Sequence, residues 1–368
     1  MAQHLILHEI RNRVAFITLN RPAALNALSL EMIVELREAL RRIAGDSGVH
    51  AVLIQGAGEK AFCAGGDIRA LYDSYKTQGS LHRDFFAVEY PLDYILHSYP
   101  KPYVAVLDGI TMGGGMGIAQ GSRLRIVGER TRMAMPEVAI GFFPDVGASF
   151  FLSRLPGSLG PYLALTGVQI RAADALYAGL ADVYLPRAGA NRLEEELSAL
   201  TWVRGEDHRA AIDGLIERLA GDPGPAPLAG LRPAIDEHFA AATVPALLAS
   251  LALESRPEYA DWARETSALL NARSPTMLAV TLKQLQLGRS MTLAQCLRME
   301  IGMAWQCFVQ GDFIEGIRAV VIDKDNKPRW QPARTAEVTD ASVEAIFKSP
   351  WADTVHPLAN LEGINACN

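Results

Sequence analysis

Three short segments of this chain could do chemistry. In Ala61-Phe62-Cys63-Ala64-Gly65-Gly66-Asp67-Ile68, two adjacent glycines stand between a strand pattern and a helix pattern. Backbone N–H groups can approach a ligand there unobstructed, and the helix start favours a developing negative charge. In Asp108-Gly109-Ile110-Thr111-Met112-Gly113-Gly114-Gly115-Met116-Gly117, three consecutive glycines precede a second helix pattern. Two such loops together can offer two N–H donors to one carbonyl oxygen, an oxyanion hole serving thioester enolates or tetrahedral intermediates. The third segment, Met135–Gly147, is apolar except for two acids, Glu137 and Asp145. Desolvation raises a carboxyl pKa and suits it to proton transfer, and paired acids can divide the roles. Each segment also has a plainer reading: a strand-to-helix turn, a tight helix crossing, and a capping Asp145 beside an exposed Glu137.

Weaker candidates lie outside these segments. Glu89 follows two phenylalanines on a predicted helix, where a solvated glutamate is the default. The eight histidines form no HxH or HExxH pair, which argues against metal catalysis. Cys63 has no histidine near it in sequence and reads as a small loop filler. There is no GxSxG, no strand followed by GxGxxG, and no GxxxxGK[ST], so serine-esterase, dinucleotide and P-loop readings are set aside.

The elements that must position these groups belong to an ordinary globular composition: 368 residues, 49% hydrophobic, 21% charged. Disorder is excluded, and the length suggests two units or one large domain with an appendage. A net charge of −6 opposes a broad nucleic-acid footprint. The longest uncharged stretch, Leu155–Ile170, is broken by Pro156, Gly157, Gly160 and Pro161, whereas a membrane span needs about 20 apolar residues. Four cysteines without a CxxC spacing read as reduced thiols. The first twenty residues show no leader pattern, so a cytoplasmic protein is expected.

Leu5–Ile10 and Val14–Leu19 read as a hairpin about Arg11–Arg13. Ser29 caps a helix pattern over Leu30–Ile43, with apolar positions at helical spacing. Ala51–Ile54 and Tyr103–Leu107 read as buried strands, Leu81–His97 as a helix, and Leu124–Val127 with Arg132–Met135 as a further strand pair. The unit strand, glycine-rich loop, helix recurs, which predicts an α/β class with loops gathered at strand ends. Residues 1–200 are expected to form the catalytic core. A helical region is expected over 201–335, with a Pro/Gly linker at 221–231, and a loosely packed tail over 336–368.

Taken together, the segments resemble the crotonase (enoyl-CoA hydratase/isomerase) superfamily, over about residues 5–335. The general marks are Arg21-Pro22 with Leu25-Asn26-Ala27-Leu28, FCAGGDI at 62–68, and the Gly113–Gly115 loop. Narrower marks resemble its thioester-hydrolase branch: GGDIRALY at 65–72, KPYVAVLDGITMGGGMG at 101–117, MPEVAIGFFPDVGASFFLSRLPG at 135–157 and GDFIEGIRAVVIDKD at 311–325. The resemblance implies a crotonase-like ββα spiral core. It implies backbone N–H donors at Ala64 and Gly114, a catalytic Glu137, an acidic partner Asp145 and a substrate-contacting Glu89. It places Leu25–Ala27 and Asp67–Ile68 along the CoA, with Lys324 or Lys327 as possible phosphate contacts and solvated lysines as the plainer reading.

One departure is informative. Hydratases of the superfamily carry a first glutamate just after the glycine run, and here that position is Gly117. The expected activity is therefore hydrolysis of a 3-hydroxyacyl-CoA thioester, with 3-hydroxyisobutyryl as the favoured acyl group and valine breakdown as its setting. The alternative is an enoyl-CoA hydratase/isomerase using a single glutamate; a non-catalytic RNA-binding chain is a remote third. The substrate brings its own CoA, so no separate cofactor, metal, nucleic-acid or membrane partner is implied. A homo-oligomer is possible, and the helices Met277–Leu287 and Cys296–Val309 are candidates to cover the pocket.

Overall fold

The computed structural model describes residues 4–203, 207–352 and 355–367; the parts of the expected core, helical region and tail at 1–3, 204–206, 353–354 and 368 lie outside the described residues. Among the described residues, nine strands form two sheets. β1 (Ile6–Arg11), β2 (Val14–Leu19), β3 (Ala51–Gly56), β5 (Tyr103–Leu107), β7 (Leu124–Val127) and β9 (Val183–Tyr184) make the larger one, in that order. β4 (Ala61–Cys63), β6 (Ile110–Met112) and β8 (Arg132–Ala134) make the smaller one. Among these described strands, β1 and β2 pair antiparallel and the other pairs are parallel. Their two-residue turn, Asn12-Arg13, has both residues at positive φ, as the right-handed strand twist favours.

Each chain segment gives one strand to the large sheet, the next to the small sheet, and then a helix. β3 and β4 lead into α2 (Ile68–Lys76), and β5 and β6 into α4 (Gly114–Gln120). This is the ββα spiral that the resemblance implied. It also corrects the strand pair expected at 124–135: β7 and β8 sit in different sheets, because consecutive strands here pair with their counterparts in neighbouring turns of the spiral.

Strand alternation divides the interior in two. On β2 and β3, Ala15, Ile17, Val52 and Ile54 enter the main core, while Val14, Phe16, Ala51 and Leu53 enter a smaller one beneath the helices Arg187–Ser198 and His208–Leu219. A strand buried on both faces reads as a continuous apolar run, which is what these segments are. α1 (Leu30–Gly45) turns Met32, Ile33, Leu36, Leu40 and Ile43 inward, and its Ser29 cap accepts from Met32 N. Such a cap contributes about 1 kcal/mol.

The main core does not stop at the spiral. It continues through the helices Pro275–Gly288 and Leu293–Gln310 to Val343, Ile346, Leu358 and Leu361. The tail expected to be loosely packed is thus seated on the core, with its helix Asp340–Phe347 against those two helices. The Pro/Gly stretch at 221–231 ends in order as well: Pro227 opens a helix, Pro227–His238, at a position where a missing N–H costs nothing.

Candidate active site

Both glycine loops leave strands of the small sheet side by side, so the pairing of β4 with β6 brings them together. The Arg21–Leu28 segment braces the first loop. Asn26 is fully buried, accepts from Arg21 N, and donates to Ala57 O at 3.0 Å and Ala61 O at 2.8 Å. Leu25 and Asn26 both hold positive φ, a conformation these bonds stabilise. Asp67 caps α2 through Ala70 N and pairs with Arg21 at 2.7 Å. The motif residues at 25–27 and 67 are therefore committed to holding the loop; Ile68 lines the cavity beside it.

The expected donor Ala64 needs correction. Its N–H donates to Leu25 O at 3.1 Å, and the Asp67 N–H donates to Leu28 O. The amides of Gly65 and Gly66 have no protein acceptor among the described residues. Gly66 N lies 3.5 Å from where a Cβ on Gly114 would stand. Gly114 opens α4, where helix geometry leaves the N–H unpaired. Gly66 and Gly114 are thus neighbours whose amides are both unspent.

Three acids converge on the same cavity of about 280 Å³. Glu89 comes from α3 (Leu81–His97), Glu137 from a short turn Glu137–Ile140 after Pro136, and Asp145 from the loop beyond it. All are buried, at 2%, 6% and 6% exposure, so the solvated-glutamate reading of Glu89 and Glu137 fails. Glu89 Oε1 would stand 2.6 Å from a Cβ on Gly114, and Glu137 Oε1 3.1 Å from one on Gly113, so the carboxyls lie directly over the glycine run. Phe85, Phe86, Phe142 and Phe313 wall the cavity, with Phe142 stacked on Phe86 and tilted against Phe313. Of the C-terminal residues, Phe313 and Val320 reach it; the helices expected to cover it, Met277–Leu287 and Cys296–Val309, contribute none of its lining. Lys324 and Lys327 are exposed and outside the lining.

Among the described residues no Lys, Arg or His lines the cavity. No cation in the lining therefore offsets the effect of burial on the acids. It pushes Glu89 and Glu137 well above the usual carboxyl range, with the charge of Asp145 adding to each. Asp145 is pushed up to about 7 by burial, restrained by a hydrogen bond from Tyr90 Oη at 2.8 Å. Asp145 thus exchanges a proton near neutrality, and Glu89 and Glu137 give theirs up less readily than an ordinary carboxyl, which suits the group to acid–base work. Tyr90→Phe removes that donor, so the Asp145 titration is expected to move upward from about 7, read by the carboxyl carbon shift of labelled aspartate. A titration left in place would show that the phenol does not stabilise the carboxylate. Cys63 is buried and its thiol is pushed up to about 12, which leaves it inert.

Sequence reasoning missed Tyr90, Asp93 and Glu300. Asp93 lies one turn beyond Glu89 on the same face of α3, a spacing that could have flagged it. It is buried with neither carboxyl oxygen partnered, and burial together with Glu89 raises its pKa. It also explains Gly117: a Cβ there would stand 2.6 Å from Asp93 Oδ1 and 2.7 Å from Val146 Cβ. No acid side chain fits at the position where the superfamily's hydratases carry one.

Comparisons with known proteins agree with this geometry. A family model described as enoyl-CoA hydratase/isomerase matches residues 14–347. The rat protein named 3-hydroxyisobutyryl-CoA hydrolase, mitochondrial, is 41% identical over 94% of this chain and 89% of its own length. The human protein of the same name is 39% identical over 94% and 88%. A solved carnitinyl-CoA dehydratase from Mycobacterium thermoresistibile superposes with a TM-score of 0.88 at 38% identity, covering 98% of this chain and all of that one. An enoyl-CoA hydratase from Rhodobacter sphaeroides gives 0.83 at 37%, covering 94% and 98%. The relatives' names also overturn the cytoplasmic placement. It rested on the wording of the first twenty residues, and the hydrolases at about this identity are named as mitochondrial. Spanned by the family model and matched along almost its whole length, the chain belongs to the enoyl-CoA hydratase/isomerase family.

Proposed function

We propose that this enzyme hydrolyses the thioester of 3-hydroxyisobutyryl-CoA, or a close 3-hydroxyacyl-CoA, to the free hydroxy acid and CoA, as in valine breakdown. The observation that carries the reading is the combination of two unspent amides with three buried acids on one small cavity, and no room for an acid at Gly117. The hydrolase names of relatives at about 40% identity support it.

In this reading the thioester oxygen lies between the Gly66 and Gly114 amides, which stabilise the negative charge that develops on it. Glu137 acts as a carboxylate at the carbonyl carbon. As general base it takes a proton from water while the water oxygen bonds to the carbon. The C–S bond then breaks, and the proton passes to the departing thiolate. Direct attack by Glu137 would expel the CoA thiolate and give a mixed anhydride; water adding to the Glu137 carbonyl of that anhydride would release the hydroxy acid and leave oxygen-18 in Glu137 after a single turnover. Asp145, held by Tyr90, orients Glu137 or the water. Glu89 hydrogen-bonds the 3-hydroxyl. The acyl group needs no cofactor beyond the CoA it carries.

The test is thiol release from 3-hydroxyisobutyryl-, 3-hydroxypropionyl-, isobutyryl- and crotonyl-CoA. The hydroxylated pair is expected to react fast and isobutyryl-CoA slowly, since a site built around a hydroxyl rejects the analogue lacking it by up to roughly 10⁴-fold. Loss of crotonyl absorbance without thiol release would move the protein to the hydratase side, where the names of the solved relatives lie.

A further inference from the structure

The loop that carries Asp145 is strained and is held from behind. Val146, a β-branched residue, has φ +52°, and Gly147 follows at +87°. A β-branched residue in the left-handed region persists only where its surroundings impose it. The restraint comes from two helices remote in sequence. Glu300, on Leu293–Gln310, accepts from Gly147 N at 2.7 Å through one oxygen. Through the other it accepts from Ser149 N at 2.9 Å and Ser149 Oγ at 2.5 Å. Gln284, on Pro275–Gly288, donates to Pro144 O at 2.6 Å and to Ser149 Oγ at 2.8 Å. The chain is thus pinned on both sides of Asp145–Val146. Glu300, Gln284 and Ser149 are fully buried, and none of them lines the cavity.

Packing alone does not call for a carboxyl here. Burial works against the charge of Glu300 and raises its pKa to about 8, with Asp145 adding to the effect. What a carboxylate offers is two acceptor oxygens for three donors at once. A glutamine offers one oxygen and turns an NH2 group toward a backbone N–H.

We infer that Glu300 is a positioning residue for the hydrolysis: through Gly147 and Ser149 it holds the strained turn that aims Asp145 into the cavity. The inference rests on the hydrolase reading above. It assigns a role in the reaction to a helix that does not touch the substrate cavity.

The experiment measures kcat and KM for thiol release from 3-hydroxyisobutyryl-CoA in the full chain. Glu300→Gln is expected to lower kcat by roughly 10²-fold with KM unchanged, the scale of a misplacement of about 1 Å. Ser149→Ala, which keeps both backbone donors, is expected to lose about 10-fold. The deciding readout is Glu300→Gln made in an Asp145→Asn background. Acting through Asp145, it should then cost less than about threefold more, because residues that work as a unit are not additive. Wild-type kcat in either single variant overturns the inference. So does an equal loss in both backgrounds, which would mark Glu300 as a support of the fold alone. If Glu300→Gln proves insoluble, Ser149→Ala in the two backgrounds decides on the same terms. A wild-type chain that releases no thiol overturns the hydrolase reading itself, and the inference with it.

Discussion

Glu137→Gln is expected to lower kcat for thiol release by roughly 10²–10⁴-fold, with KM little changed, because it removes a proton-transfer group and leaves the binding surface in place. The substitution keeps shape and volume. Among the described residues one carboxyl oxygen of Glu137 has no hydrogen-bond partner, and the other lies over Gly113; the bond to be kept is the one from the residue's own backbone N–H, which the amide oxygen of glutamine can still accept. Burial and the charge of Asp145 already disfavour the ionised form. The variant should therefore melt at or above the wild-type temperature while losing its turnover. That pairing separates chemistry from folding. Near-wild-type turnover in Glu137→Gln would remove this carboxyl from the mechanism.

Gly114→Ala is expected to cost roughly 10²–10³-fold in kcat, the usual loss for one oxyanion donor, or about 2.7–4 kcal/mol. The added Cβ would stand 2.6 Å from Glu89 Oε1 and 3.1 Å from Leu28 Cδ1, so Glu89 must retreat and the donor loop must shift. Gly114 is a helical residue without a positive φ, and alanine is the better helix former by about 1 kcal/mol. The backbone therefore gains what the side-chain contact loses, and the melting temperature should move little. Gly113, at φ +50°, offers no such separation, since any side chain there is strained. Unaltered kcat in Gly114→Ala would mean that the carbonyl oxygen binds elsewhere.

What the sequence made legible was local. The hairpin, the bounds of α3 and the two glycine loops follow from alternation, capping and punctuation, and the structure has them where these signals put them. Glu89, Glu137 and Asp145 do meet in one cavity. What escaped depends on partners far away in sequence. A motif locates a loop but cannot tell which of its amides is already spent, and Leu25 O decides that for Ala64. The sheet membership of β7 and β8 is set by strands from other turns of the spiral. The tail looked loose because its apolar residues are sparse and Pro332 interrupts it. Leu358 and Leu361 are nonetheless buried, since the surface they cover is made by helices some fifty residues earlier. Asp93 and Glu300 read as ordinary helix acids until the neighbouring elements are in place.

That the charged groups lining the cavity are all acids bears on what happens after the bond is broken. Hydrolysis turns an uncharged acyl group into an anion, and it does so among Glu89, Glu137 and Asp145, with no cation in the lining among the described residues. Like charges buried around one small cavity repel more strongly than they would in bulk water. The substrate enters as a neutral ester that these groups can tolerate; the product is opposed by every one of them that is ionised. Its electrostatics thus favour departure over rebinding, and the reverse reaction has to begin by returning a carboxylate to a chamber that offers it no counter-ion.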